Sequence, residues 1–292
     1  MTVTLVTGSS GFVGRVIVQR MTAAGRAVLG LDPRPAPTTQ VIDDLVDRAR
    51  LSALIARERI THVIHAGGVS GPMVLADDPA GVIAINVTGS LNLLYAAMER
   101  AVTTFVYCSS VAAIGDFDEA APIGETYPMQ PTSTYGCSKA AMDFVLRGLY
   151  RRVPLDLCSL RLTAVYGPGR ENEFNVDTIV RAALRGEAAR IAPLGAWPYI
   201  YVDDAAEAAI AACFARERRQ LAYFVAHPER VTPHDIAVAC AAAGKPVRLD
   251  IDTTQPKAMR GHVDVDAAAR DFEFRAQVGH REGIRRMIEA AG

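Results

Sequence analysis

A glycine-rich turn near the start of the chain constrains the fold more than any other feature. Residues 5–7 form an apolar, β-branched run typical of a buried strand, and residues 15–24 carry apolar side chains at helical spacing. Three glycines separate the two segments: Gly8, Gly11 and Gly14. A second apolar run at residues 27–31 ends at Asp32. The order strand, turn, helix, strand predicts a βαβ unit of a parallel sheet.

The spacing of these glycines suits a phosphate. Gly8 permits a tight turn, Gly11 lets the backbone approach a pyrophosphate, and Gly14 lets the helix pack closely on the strand. The first N–H groups of the helix and its dipole favour a negative group. Asp32 follows Gly14 by 18 residues, where a carboxylate accepts hydrogen bonds from the hydroxyls of an adenosine ribose. The stretch predicts a dinucleotide site; an ordinary turn between strand and helix is the alternative.

Composition narrows the class of protein. The chain has 292 residues, half of them apolar, and a formal net charge of −1, which gives no reason to expect nucleic acid or an acidic membrane as partner. No apolar run is expected to span a bilayer, and the first residues lack the segments of a secretion signal. The five cysteines lack paired spacing, which is typical of reduced thiols rather than of disulfides or a metal site. We therefore expect a cytoplasmic protein without a metal.

Strands and helices alternate along the first part of the chain, which predicts an α/β fold with a Rossmann-type, doubly wound parallel sheet. We expect a dinucleotide-binding domain over residues 1–168 and a smaller C-terminal α/β substrate lobe over residues 169–292, with the chain free to cross back between them. Ligands bind beyond the carboxyl ends of parallel strands, so the cleft is expected between the two lobes.

Tyr135 and Lys139 are four residues apart and share one face of a predicted helix. A free tyrosine has a pKa of about 10 and is a poor base at neutral pH. A neighbouring ammonium, together with an oxidised nicotinamide, favours the phenolate and makes it a usable base. Ser110 lies at the expected carboxyl end of a strand, where its hydroxyl can hold a substrate oxygen. These three residues are the predicted catalytic group.

With these residues in place, the chain resembles the extended short-chain dehydrogenases/reductases, the family of NAD-dependent sugar epimerases, dehydratases and dehydrogenases. The likeness runs nearly from end to end and rests on short segments. They are Thr7-Gly8-x-x-Gly11-x-x-Gly14, Asp32, Asp44-Leu45, His65-x-Gly-Gly, Asn86-Val-x-Gly, Ser109-Ser110, Tyr135-x-x-x-Lys139, Arg161, Tyr166-Gly-Pro-Gly and Tyr201-Val-Asp-Asp. The resemblance implies an enzyme in which hydride passes between a substrate carbon and nicotinamide.

By this resemblance Tyr135 is the general acid/base, Ser110 polarises the substrate and Lys139 also binds the nicotinamide ribose. We assign the cofactor site to Gly8, Ser10, Gly11, Phe12, Val13, Gly14, Asp32, Arg34, Asp44, Leu45, Ala66, Gly67, Gly68, Asn86, Cys108, Tyr135, Lys139 and Tyr166. We assign substrate contacts to Ser70, Ser110, Val111, Arg170 and Trp197. Asn86 sits among apolar residues and has an alternative role as a link between backbone segments.

The cofactor is expected to be NAD. Arg34 could approach an adenosine 2′-phosphate, which leaves NADP as the alternative. The carboxylate of Asp32 would repel that phosphate, so NAD is favoured.

Two departures from the family bear on the substrate. Nucleotide-sugar members carry an asparagine where this chain has Ala164 and an arginine where it has Trp197, both near the sugar diphosphate. Because charge-assisted contacts to phosphate are strong, their joint loss favours a substrate without a nucleotide, unless Arg170 or Arg181 compensates. Arg170, Arg181 and Arg260 could hold a substrate carboxylate or could be solvated surface arginines. Trp197 either stacks on a sugar ring or fills the interface between lobes.

Signatures of other subfamilies are also absent. The Thr-Asp-Glu of dehydratases is replaced by Ser110-Val111-Ala112, and the cysteine of keto-sugar 3,5-epimerising reductases is replaced by Ala112. Cys108 is expected to be a buried, inert thiol. The groups that remain suit simple hydride transfer.

The sequence thus predicts an NAD-dependent oxidoreductase acting on a secondary alcohol or ketone of a small sugar, sugar acid or hydroxy acid. Two alternatives remain: a nucleotide-sugar 4-epimerase that keeps NAD tightly bound, and a non-catalytic NAD-binding regulatory protein. The predicted helices over residues 82–100 and 139–150 commonly form a four-helix contact in this family, so a homodimer is expected.

Overall fold

The computed structural model describes residues 2–117, 121–172, 174–254 and 261–291. In chain order its strands are β1 (Val3–Thr7), β2 (Ala27–Asp32), β3 (Val41–Ile42), β4 (His62–His65), β5 (Thr104–Ser110), β6 (Asp156–Leu162), β7 (Ala164–Tyr166), β8 (Ala189–Ile191), β9 (Trp197–Tyr201), β10 (Ala222–Val225), β11 (Arg230–Val231) and β12 (Leu249–Ile251). Its helices are α1 (Phe12–Ala23), α2 (Arg48–Arg57), α3 (Pro79–Ile83), α4 (Ser90–Met98), α5 (Thr134–Leu149), α6 (Asn175–Arg185), α7 (Val202–Phe214), α8 (Pro233–Ala242), α9 (Asp266–Phe272) and α10 (His280–Glu289).

Seven parallel strands form the main sheet, in the order β3-β2-β1-β4-β5-β6-β10. The predicted doubly wound parallel sheet is confirmed. The strand order reverses at β1 and β4, and ligands bind beyond the carboxyl ends of the strands at such a point. Because β10 belongs to this sheet, the chain crosses back well after residue 168. The division into two domains at that residue stays a prediction.

Helices cover both faces of the main sheet, so its strands are apolar on both sides. Successive side chains of a strand point to opposite faces. Val6 and Ile64 pack in the cluster that includes α1 and α7, which lie against each other. Leu5 and Phe105 pack in the cluster that includes α2, α4 and α5. The two layers hold the carboxyl ends of the strands in fixed positions.

A buried charged pair fixes α5 on the main sheet. Arg161 on β6 is 1% exposed, and its Nε donates to Oδ2 of Asp143 on α5 at 2.8 Å. Ser159 donates to the other carboxylate oxygen at 2.6 Å, and Nη1 of Arg161 donates to the carbonyl of Glu125 at 2.7 Å. A buried charge is costly unless it is paired and hydrogen-bonded, so neither partner can move without stranding the other. This pair holds the helix that carries the predicted catalytic tyrosine and lysine.

The smaller lobe contains a three-stranded sheet, β11-β9-β7, and a strand pair, β12-β8. α6, α8 and α10 pack on one another beside these strands. Their apolar cluster includes Tyr166, Ile179 and Trp197. The sequence does not predict β7, β9 or α9, because such short elements give too few residues for a period to emerge.

One helical stretch, Pro79–Met98, is long and apolar enough to cross a membrane by length and composition. This corrects the expectation that no such run exists. The stretch comprises α3, a π-helical turn over residues 84–89, and α4. It packs against α2 and α5, and 44% of its most apolar window is buried in the fold. A helix of a folded core passes the same test, so the finding is weak support for a span.

Replacing Gly14 by alanine tests the close packing of α1 on the first turn. A Cβ at Gly14 would lie 2.0 Å from the carbonyl oxygen of Gly8, a backbone contact that no side-chain rotation relieves. We expect Gly14→Ala to lower the free energy of unfolding by about 2–3 kcal/mol, measured by urea denaturation.

Gly148→Ala is the matched control. Gly148 lies in α5, and a Cβ there meets nothing within 4 Å. The substitution should raise the free energy of unfolding by about 0.5–1 kcal/mol, because alanine loses less backbone entropy in a helix. Equal effects of the two substitutions would contradict the packing argument.

Candidate active site

A cavity of about 1090 Å³ runs along the carboxyl ends of the main-sheet strands. Its wall includes residues at or just after the ends of β1, β2, β4, β5 and β6 and extends to the loop after β7. The predicted site residues that line it are Gly8, Gly11, Phe12, Val13, Asp32, Arg34, Asp44, Leu45, Ala66, Gly67, Gly68, Ser70, Cys108, Ser110, Val111, Tyr135, Lys139, Arg170 and Trp197. The fold therefore brings together most of the residues that the sequence singles out.

The first turn is shaped for close backbone approach. Gly8 has a φ of +73°, in the left-handed region that favours glycine, and a Cβ there would lie 2.5 Å from Cα of Gly67. Ser10 and Gly14 shape this turn without lining the cavity. The Oγ of Ser10 is buried and has no hydrogen-bond partner among the described residues. An unpaired hydroxyl beside the N-terminus of α1 suits the phosphates of a dinucleotide.

Asp32 is held at the end of β2. Its two oxygens accept hydrogen bonds from the backbone N–H groups of Arg34 at 2.9 Å and Ser10 at 3.3 Å. It is only 6% exposed, yet it lines the cavity beside Asp44. Arg34 lies 4.0 Å from Asp32 and 3.3 Å from the carboxylate of Glu171. The carboxylates of Asp32 and Glu171 disfavour a further anion here, so the geometry fits a free ribose better than a 2′-phosphate.

Asn86 does not line the cavity but links backbone segments behind it. Its Oδ1 accepts from the N–H of Val69 at 2.7 Å, and its Nδ2 donates to the carbonyl of Val69 at 3.2 Å and to Oγ of Ser138 at 3.0 Å. That hydroxyl donates to the carbonyl of Tyr135 at 2.7 Å. Asn86 therefore has its alternative role as a link between backbone segments. Its hydrogen bonds connect the loop after β4 to the first turn of α5.

Tyr166 also lies away from the cavity, which corrects its assignment to the cofactor site. It is 3% exposed, and its ring packs edge-on against Tyr199 and Tyr201 in the smaller lobe. A Cβ at Gly283 of α10 would lie 2.3 Å from its hydroxyl oxygen. β7, which the sequence does not predict, turns this side chain into the core.

Ser110, Tyr135 and Lys139 meet in the middle of the cavity wall. Ser110 lowers the pKa of Tyr135 as a hydrogen-bonding neighbour, which places the two side chains next to each other in the wall. Nζ of Lys139 lies 5.8 Å from the centroid of the Tyr135 ring and donates to the carbonyl of Cys108 at 2.9 Å. The end of β5 and the first turns of α5 thus place a serine, a tyrosine and a lysine around one point.

Burial opposes the charged forms of both titratable groups. It raises the pKa of Tyr135, and the hydrogen bond from Ser110 and the positive charge of Arg170 limit that rise. It lowers the pKa of Lys139 to about 8. The expected lowering of the tyrosine pKa comes in the structure from Ser110 and Arg170 rather than from Lys139. Without a further positive charge, little of Tyr135 is ionised at neutral pH.

The cysteine and the histidine near the cavity, Cys108 and His65, are both uncharged at neutral pH. Burial raises the pKa of Cys108 to about 11, so its thiol is inert at neutral pH. His65 is hydrogen-bonded to the hydroxyls of Thr7 at 2.6 Å and Ser90 at 2.7 Å, and burial lowers its pKa to about 3. Within the described ranges, no group of side chains could hold a metal ion.

The part of the wall next to the smaller lobe is mixed. Ala164, Leu194 and Trp197 contribute apolar side chains, and Asn172 and Asn175 contribute polar ones. Trp197 is 6% exposed, and its ring lies 5.6 Å from that of Phe117, so it both fills the lobe and forms part of the wall.

The basic candidates for a substrate contact separate in the structure. Arg170 lines the cavity. Arg181 is not part of the wall and donates to the carbonyl of Arg170 at 2.9 Å. Arg260 lies outside the described residues.

Residues 168–172, here called the strap, cross over the cavity. Arg15 on α1 donates to two strap carbonyls, at 2.8 and 3.0 Å. Asn172 donates to the carbonyl of Ser70 at 3.3 Å, and Glu171 pairs with Arg34. The sequence gives no sign of these contacts, because the partners lie far apart along the chain and use backbone acceptors that any residue could supply.

Comparison with known proteins identifies the family. The model of the NAD dependent epimerase/dehydratase family matches residues 4–225. The chain belongs to this family.

Individual relatives agree with that assignment. The UDP-glucose 4-epimerase of Mycolicibacterium smegmatis is 29% identical over an alignment of 228 residues, and the match covers 72% of this chain and 72% of that one. The structure of the UDP-glucose 4-epimerase of Thermus thermophilus in complex with NAD superimposes with a TM-score of 0.85, at 29% identity over 98% of both chains. The complex of MoeE5 with UDP-glucuronic acid and NAD gives a TM-score of 0.87 at 26% identity, over 99% of this chain and 98% of that one. The predictions of an enzyme and of NAD as cofactor are confirmed.

Lys139→Met tests the desolvation of the lysine. Its pKa is about 8 in the folded protein, against an ordinary value of 10.5. Between these pH values the unfolded chain still holds a proton that the folded protein has released, so wild-type stability rises with pH, by up to about 3 kcal/mol. Methionine carries no such proton. The wild-type unfolding free energy minus that of the variant, measured in urea, should therefore rise by about that amount between pH 8 and 10.5.

A difference that stays flat or falls over this range would contradict the burial of the ammonium. Groups that do not interact with Lys139 titrate alike in both proteins and cancel in the comparison, whereas the Cys108 thiol, whose pKa Lys139 lowers, adds a difference of its own.

Proposed function

We propose that the protein transfers hydride between NAD and a secondary alcohol or ketone of a small sugar, sugar acid or hydroxy acid. The observation that carries this proposal is the meeting of Ser110, Tyr135 and Lys139 in the wall of one cavity. NAD, when bound, supplies the hydride acceptor or donor.

Each of these residues has a distinct task. In the oxidation, the Tyr135 oxygen takes the proton of the substrate hydroxyl as the attached carbon gives up its hydride. The hydroxyl of Ser110 hydrogen-bonds the same substrate oxygen and keeps it within reach of the tyrosine. Lys139 is held by the carbonyl of Cys108, from which position its ammonium binds ribose hydroxyls. In the reduction the proton returns from Tyr135 to the oxygen.

The wall of the cavity supports a substrate without a nucleotide. Ala164 and Trp197 both line it. These are the two positions at which nucleotide-sugar members of the family carry an asparagine and an arginine near the sugar diphosphate. Apolar side chains at these two positions offer a diphosphate no compensation for its lost hydration.

A nucleotide-sugar 4-epimerase is the second candidate, and two observations favour it. The relatives reported above include UDP-glucose 4-epimerases, one of them matching over nearly the whole chain. The strap is held over the cavity by Arg15, which donates to its carbonyls, and by the ion pair of Arg34 and Glu171. Such contacts suit a cofactor that stays bound through the reaction. In that case hydride returns to the same carbon and no NADH accumulates.

We further propose a cytoplasmic homodimer. Apolar side chains of the 79–98 stretch and of α5 remain exposed in the single chain: Ile83, Ile85, Tyr95 and Phe144. A second copy that covers them would bury a surface continuous over both helices. The five cysteines are free thiols, as suits a reducing compartment.

Tyr135→Phe tests the proposed chemistry. The variant keeps the ring and loses the proton acceptor, so NADH formation from a panel of sugars, sugar acids and hydroxy acids should fall by roughly a hundredfold or more. NADH binding, followed by its fluorescence, should persist. The matched control is Tyr150→Phe, which removes a hydroxyl at the other end of α5, outside the cavity wall, and should leave the rate unchanged.

Undiminished NADH formation in Tyr135→Phe would overturn the assignment. Interconversion of UDP-glucose and UDP-galactose by the wild type, with no turnover of the panel, would favour the second candidate instead.

A further inference from the structure

Arg170 differs from every other arginine in the cavity wall. Its side chain is 16% exposed and lines the cavity. Its charge acts on the reactive phenol, since Arg170 lowers the pKa of Tyr135. Arg170 and Tyr135 thus line the same cavity, and a small substrate bound between them would meet both side chains.

The guanidinium is held in one orientation. Its Nε donates to the carbonyl of Asn172 at 2.8 Å, and Nη1 donates to the carbonyl of Val165. The ring of Phe174 lies 5.6 Å from its central carbon. Nη2 makes no hydrogen bond to any described residue, which leaves this corner of the planar fork available to a ligand. A fixed arginine loses little entropy when it binds a planar anion.

Asp177 compensates the charge from the opposite side. Its Oδ2 lies 3.5 Å from Nε of Arg170, and the carboxylate is 3% exposed. That oxygen has no hydrogen-bond partner in the described part of the chain. A buried arginine requires such a counter-charge, and this one approaches Nε rather than the free Nη2. The ion pair with Asp177 therefore compensates the burial of Arg170 and leaves Nη2 accessible to a ligand.

The other basic groups of the wall are already engaged. Arg15 is bound to strap carbonyls, and Arg34 lies between Asp32 and Glu171 at the adenosine end. Lys139 donates to the carbonyl of Cys108. Beyond the catalytic group, Arg170 is therefore the basic group of the described wall that remains available to an anion; its neighbours in the wall include Glu171 and Asn172. One planar cation suits one carboxylate, whereas a diphosphate would bring a second charge against apolar side chains.

We infer that Arg170 binds the carboxylate of the substrate, which makes the substrate a sugar acid or another hydroxy acid whose secondary alcohol lies at Tyr135. Asp177 is the positioning residue that balances the arginine. This inference rests on the proposed hydride transfer and names its substrate class.

Trp197 provides a direct binding assay. It is the only tryptophan of the chain and lines the same end of the cavity. Its fluorescence is recorded in NADH-loaded protein during titration with aldonates and uronates, each compared with its own primary amide. An acid and its amide match in size and hydroxyl pattern and differ in charge. The wild type should bind the preferred acid at least about tenfold more tightly than the amide, as expected for a charge-assisted contact.

Arg170→Gln should abolish this preference by weakening the acid to the level of the amide, while the affinity for the amide stays the same. Arg190→Gln is the matched control: Arg190 lies on β8 with 76% of its side chain exposed, so the preference should remain. NADH fluorescence establishes that each variant is folded and loaded. Should Arg170→Gln fail that test, Arg170→Lys replaces it; the lysine lacks the planar fork and should reduce the preference at least about threefold.

Three results would overturn the inference: equal affinity of the wild type for acids and amides, an undiminished preference in the Arg170 variants, or a response to UDP that depends on Arg170 while no acid responds. Failure of the proposed function gives a different outcome. In that case acids bind through Arg170, but no NADH forms from any of them.

Discussion

Desolvation of Tyr135 and Lys139 is the constraint on which the rest of the site depends. The same burial that excludes water from the reaction raises the pKa of the phenol and lowers that of the ammonium. Both groups are therefore pushed towards their neutral forms. Ser110 and Arg170 offset part of this effect on the tyrosine. The ionised fraction of Tyr135 at neutral pH then depends on a further positive charge near the phenol, so we expect binding of oxidised NAD to activate Tyr135.

Such a site works only if its groups are fixed by the surrounding fold. The buried pair of Arg161 and Asp143 seats α5 on the sheet, and Asn86 holds the first turn of that helix through Ser138. None of these four side chains touches the cavity. Their polar contacts are buried, which makes each expensive to break and hence suited to holding a helix in one position.

Much of this arrangement could be predicted from the sequence because its signals are local. The turn at Gly8 needs a left-handed backbone, Asp32 ends a strand, and Tyr135 and Lys139 share a helical face. Contacts between residues that lie far apart along the chain could not be predicted. The role of Arg15 depends on backbone carbonyls of the strap, and Tyr166 is turned inward by a three-residue strand. The effect of Arg170 on the pKa of Tyr135 is also long-range, since Arg170 lies on a loop distant from α5 along the chain.

Spectroscopic titration of Tyr135 tests the coupling of cofactor and base most directly. The ultraviolet absorbance of ionised tyrosine is followed against pH, with and without saturating oxidised NAD, and the same curves from Tyr135→Phe are subtracted. The remaining signal should ionise at a lower pH when NAD is bound. A titration that NAD does not move, or a NAD-dependent change that persists in Tyr135→Phe, would contradict the coupling.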